Sequence, residues 1–125
     1  MFKSMRKYDL EERLISLAVL VIGLVESMPN TKAANHLAGQ LLRSGTSPAL
    51  NYAEAQSGES RKDFIHKIKI VLKELRETLV CLKIIYRARL FDSEEKIQIV
   101  TKETDELVAI FVKSAKTAIE NKTMN

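Results

Sequence analysis

The residues that come nearest to a catalytic pattern are Arg61 and His66. An Arg that steadies a phosphate and a His that moves a proton, in the loose Arg-x4-His spacing, occur in a class of helical-bundle ribonucleases. Five steps along a helix turn the second side chain about 140° from the first, so the two converge only at an irregular helix start or with help from another subunit. No catalytic residue is therefore expected, with ribonuclease as the lesser alternative. His36 and the single Cys81 have no partner at catalytic spacing and read as structural. Asn51 and Glu54, one turn apart just after Pro48, read as a structural polar pair serving backbone groups freed by the proline or a neighbouring helix. The sequence holds no phosphate-cradling glycine loop, paired-carboxylate motif, His-Glu-x-x-His or nucleophile elbow. One Cys and two His provide no zinc-ligand spacing, so neither metal nor cofactor is expected.

Placement of charge says more. The chain carries a mild +4, yet residues 61–89 hold nine Lys or Arg against three acids, leaving the rest at −2. Lys62, His66, Lys69, Lys73, Arg76, Lys83 and Arg87 recur at spacings of three, four or seven and form one ridge on a helix. At 1.5 Å per residue the ridge spans ~37 Å. Lys and Arg at such intervals can meet successive phosphates and release counterions, so a nucleic acid is the expected ligand, against a plain solvated helix face. Tyr8, Tyr52 and Tyr86 are scattered, which argues against base stacking and for backbone contact. An acidic protein partner is the alternative.

The ridge needs a scaffold, and 125 residues make one domain of 14.2 kDa. Hydrophobic residues at 46% with four Gly and two Pro exclude collagen-like and disordered chains, and strand signals are missing. The expected fold is all-α, an antiparallel up-down-up-down four-helix bundle. Its first helix starts at Asp9, an N-cap with Glu12 completing a capping box, after a short basic arm of residues 1–8, and ends before Pro29. The second begins near Asn30 or Thr31, with Ala33, Ala34, Leu37, Ala38, Leu41 and Leu42 at helical spacing. Pro48 either kinks that helix or breaks it, with Ser47 capping a new turn. The third runs from Ser60 and Asp63 to about Arg87, and Phe64, Ile68, Val71, Leu72, Leu75, Leu79, Leu82 and Tyr86 mark its core stripe. The fourth starts at Asp92 or Ser93 and runs into a polar tail at 120–125.

The apolar run from Leu14 to Val25 is twelve residues long. A bilayer span needs about 17 to 25, so no membrane segment is expected. The run is apolar all round, and one chain of this size covers one side only, so a second copy is expected on the other. Leu17, Val21 and Leu24 are the expected contacts there, with Ile70, Val80 and Ile84 from a second apolar face of the third helix, which also carries Cys81 and Ile85. With an unpaired Cys and no cleavable leader pattern, a reducing cytoplasmic setting is the expectation.

The segment from Ser47 to Ala55, with its Asn51-x-Ala53-Glu54 element, is followed by Ser60 to Lys67 and by Lys73-Glu74-Leu75-Arg76-Glu77-Thr78. Together they resemble the four-helix-bundle proteins of the 23S ribosomal RNA intervening-sequence family over nearly the whole chain. Relatives often carry Arg and a large aromatic where this chain has Leu79 and Cys81. The resemblance implies a small left-handed bundle with a bent second helix, assembled as a homopentamer around a central channel. The family is similar to the accessory protein of diversity-generating retroelements, a basic pentameric barrel that binds nucleic acid and a reverse transcriptase. By that analogy RNA is the favoured ligand.

Overall fold

The structure is a computed structural model that describes residues 2–58 and 60–124, with side chains described from residue 9 to residue 120. It contains four helices: α1 (Phe2–Glu26), α2 (Lys32–Gln56), α3 (Arg61–Arg87) and α4 (Glu94–Met124). Among the described residues there is no strand. Each helix packs on the next, and α4 returns to α1, so the four enclose a common core. Residue numbers fall along α3 as they rise along α2, through Leu37 with Cys81, Ser44 with Thr78 and Glu54 with Lys67, so these two helices run antiparallel.

Three helix starts follow from their caps. Thr31 holds extended backbone and its hydroxyl accepts from the Ala34 N–H at 3.2 Å. Ser60 does the same for the Asp63 N–H at 3.1 Å, and Ser93 for the Lys96 N–H at 3.2 Å. The capping box expected at Asp9 is not used. Helix α1 begins at Phe2 and passes through Asp9, because residues 2–8 contain no breaker and a helix once nucleated propagates. Residues 2–8 of the expected basic arm are thus part of α1 and residues 120–124 of the expected polar tail part of α4, while residues 1 and 125 lie outside the described residues. The end of α3 is a Schellman motif: Leu90 N–H donates to the Ile85 carbonyl at 3.0 Å and Arg89 N–H to that of Tyr86 at 3.1 Å. Arg89 takes the left-handed position there, at φ 56°.

Pro48 does not break α2, which runs through it. Around it, the buried Ser44 and Thr78 hydroxyls share a 3.0 Å hydrogen bond between α2 and α3. Asn51 Nδ2 donates to the Ser47 carbonyl at 3.0 Å and to Ser47 Oγ at 2.8 Å. One turn before the proline, α1 comes close. A Cβ on Gly45 would lie 2.7 and 2.8 Å from the two Val21 methyls, so only glycine fits without displacement.

The core is filled by Leu14, Leu17 and Val21 of α1, Leu41 of α2, Ile68, Val71, Leu75, Leu82 and Ile85 of α3, and Ile97, Leu107 and Phe111 of α4. Phe111 meets the edge of Tyr52 with ring centroids 5.5 Å apart. Three sequence expectations change here. Leu17, Val21 and Leu24 lie inside the chain's own core, so they are not a subunit contact; the wheel left open which side of an all-apolar helix turns inward. Ile85 and Cys81 are buried in the core cluster rather than on a second outer face, and Tyr86 is exposed rather than in the core stripe. Tyr86 sits in the last turn of α3, where its hydroxyl reaches Glu94 Oε1 at 2.8 Å. No helix is long and apolar enough to cross a membrane, among the described residues.

Candidate nucleic-acid interface

The ridge read from the sequence exists as one solvent face of α3. Lys62, Lys69, Lys73, Arg76, Lys83 and Arg87 are all exposed, and His66 stands among them. Among the described residues none of these six cations takes part in an ion pair within the chain. The apolar stripe of α3 is turned into the bundle, which forces the other side of a 27-residue helix into water.

The acids of α3 are handled differently. Arg43 of α2 reaches across with both ends of its guanidinium, Nη1 to Glu74 Oε2 at 2.9 Å and Nη2 to Glu77 Oε2 at 2.6 Å. The fork ties α2 to α3 and neutralises two of the three acids of α3, so the ridge keeps its positive field. The hydrogen bond that Arg43 donates to Glu77 and the charge of Glu74 push the pKa of the guanidinium still further up. Lys67, off the ridge, pairs with Glu54 of α2. Asn51 and Glu54 therefore do not act as a pair: one bonds within its own helix, the other across to α3.

Beside the ridge lies a groove between α2 and α3 of about 780 Å³. Leu37, Leu72, Val80, Cys81 and Ile84 give it an apolar floor, and Lys69, Lys73 and Arg76 edge it. Val80 and Ile84 are 55% and 46% exposed, so beyond Arg76 the outer side of α3 carries apolar surface beside the cations Lys83 and Arg87. Of the expected subunit contacts on α3 these two remain available, while Ile70 is half-buried. The wall supplied by α2, with Leu37, Gln40 and Arg43, carries no one-helix signal because it depends on which helix lies beside α3.

Arg61 and His66 are exposed, and no hydrogen bond or ion pair joins them among the described residues. His36 is exposed as well. Cys81 is buried with its Sγ 3.6 Å from the Leu37 carbonyl, and burial pushes its thiol up, away from a reactive thiolate. No group of three or more His, Cys, Asp or Glu side chains is set to hold a metal ion among the described residues.

Fold and surface together define a class, four packed helices with one unpaired cationic face on the third. Membership is narrower. The chain belongs to the 23S rRNA-intervening sequence protein family, whose model matches residues 6–113. It is similar to a crystal structure of a protein with unknown function from the S23 ribosomal protein family of Bacteroides thetaiotaomicron, at 28% identity and a TM-score of 0.79. That likeness covers 88% of this chain and 97% of the other. No curated protein matches the chain.

Proposed function

We propose that the chain is a non-catalytic homo-oligomer, a ring of five as the resemblance implies, that holds RNA along α3. One observation carries the ligand: six exposed Lys and Arg on a single helix face, none paired within the chain among the described residues. Side chains held for stability of the bundle would have acids beside them, as Arg43 has. Membership in a family named for 23S rRNA supports RNA over DNA. Several copies set side by side multiply the cationic field.

The experiment is RNA binding against salt, wild type beside a variant with Lys62, Lys83 and Arg87 all changed to Glu. Each phosphate contact to a single strand contributes about −0.7 to the slope of log K against log salt, so loss of these three contacts makes the slope of the variant shallower by about 2. An unchanged slope, or no binding by wild type at low salt, removes the reading. RNA cleavage lost on His66→Ala would put the ribonuclease in its place.

A further inference from the structure

We infer that the outer stripe of α1 in one copy of the chain seats in the α2–α3 groove of the next copy, head to tail. The inference rests on the reading of the chain as a homo-oligomer and says which surfaces meet.

The stripe is Glu12, Ile15, Val19, Ile22 and Glu26, at successive spacings of three, four, three and four. Such a spacing keeps one face of a helix turned to a partner helix, and three apolar anchors at i, i+4 and i+7 are what a helix presents to a groove. Here that face is turned to solvent, with Ile15 43%, Val19 62% and Ile22 43% exposed. The stripe itself has an acid at each end and no cation; Lys96 of α4 stands to one side, in the hollow that Val19 and Leu20 share with Ile99 and Val100. Arg13, the only Lys or Arg from residue 9 to residue 26, is turned to α4, where it grips Glu103 at 2.6 and 3.1 Å and Glu106 at 3.3 Å.

The groove has the opposite pattern: apolar Leu72, Val80 and Ile84, edged by Lys69, Lys73 and Arg76, with its one acid, Glu77, neutralised by Arg43. Apolar surface faces apolar surface, and acids face cations, when the stripe of one copy meets the groove of another. Two grooves together would set cations against cations, and two stripes acids against acids. The contact is therefore heterologous, each copy giving one stripe and one groove, which builds a ring when the rotation closes and a filament when it does not. Lys62, Lys83 and Arg87 do not line the groove and stay open to a phosphate backbone.

The test is complementation in the full chain without nucleic acid, read as mass by light scattering. The stripe variant carries Val19→Lys and Ile22→Lys, the groove variant Val80→Lys and Ile84→Lys. All four positions are exposed, and circular dichroism checks the fold. The single changes Val19→Lys and Val80→Lys give the same readout should a double variant unfold. Wild type is expected above 14.2 kDa, and each variant alone at that monomer mass. Their mixture is expected to form a one-to-one particle of twice the monomer mass and nothing larger, because only one intact stripe and one intact groove remain. A mixture that stays monomeric, or a folded variant that keeps the wild-type mass, overturns the inference while the oligomer stands. Wild type that is monomeric at high concentration overturns the oligomer itself.

Discussion

Gly45→Ala tests the packing of α1 on α2. In an open helix interior this change stabilises by about 0.5–1 kcal/mol, since Gly spends more backbone entropy on folding than Ala. At Gly45 the new methyl would stand 2.7 and 2.8 Å from the Val21 methyls, well inside contact distance. Val21 is fully buried and, being β-branched in a helix, has one favoured rotamer, so it cannot swing aside. Overpacking of this kind costs about 1–3 kcal/mol, which outweighs the propensity gain and leaves a net loss of about 1–2 kcal/mol. For a chain of this length the melting temperature falls by about 4 °C per kcal/mol.

Gly39 supplies the control, being in the same helix with nothing within 4 Å of the place a methyl would take, so Gly39→Ala is expected to raise the melting temperature. Adding Val21→Ala to Gly45→Ala relieves the clash, and the double variant is expected to be less destabilised than the sum of the singles by about 1–3 kcal/mol. Thermal and urea unfolding at one fixed protein concentration read wild type and the four variants. Equal stabilisation by Gly45→Ala and Gly39→Ala would refute the close approach of the two helices.

Two further predictions concern single side chains. Arg89→Gly relieves the left-handed position that closes α3, at φ 56°, and is expected to stabilise the fold by about 0.5–1 kcal/mol; a lower melting temperature would assign the arginine a role that offsets its strain. The Cys81 thiol, pushed up by burial, is protonated in both folded and unfolded chains below its ordinary value, so stability is at full strength there. Above that value the unfolded chain loses its proton first and stability falls with rising pH until the folded thiol ionises as well. Urea unfolding across alkaline pH is expected to show a steeper fall for wild type than for Cys81→Ala, and parallel curves would contradict the assignment.

How the residues sort between sequence and structure has a physical basis. Helix starts were legible to within a residue, at Asn30 or Thr31, at Ser60 and at Asp92 or Ser93, because a cap is a contact between a residue and its near neighbours in the chain. The cationic ridge was legible too, since a stripe on one helix is set by the helical repeat alone and by the apolar stripe of α3 that must turn inward. The same local logic misplaced Asp9, because a cap pattern is silent when the helix already runs through it.

Tertiary packing decided the rest. An all-apolar helix has no preferred inner side of its own, so only its neighbours could bury Leu17, Val21 and Leu24 and leave Ile15, Val19 and Ile22 in water. Gly45 owes its constraint to Val21 on another helix, and the fork of Arg43 to acids more than thirty residues on, at Glu74 and Glu77. The groove beside the ridge exists because α2 lies along α3. Sequence alone therefore set the helices, their caps and the charge on each face, which depend on residues within a turn or two. Which faces meet, and which stay exposed, was set by helix-to-helix packing among residues far apart in the chain.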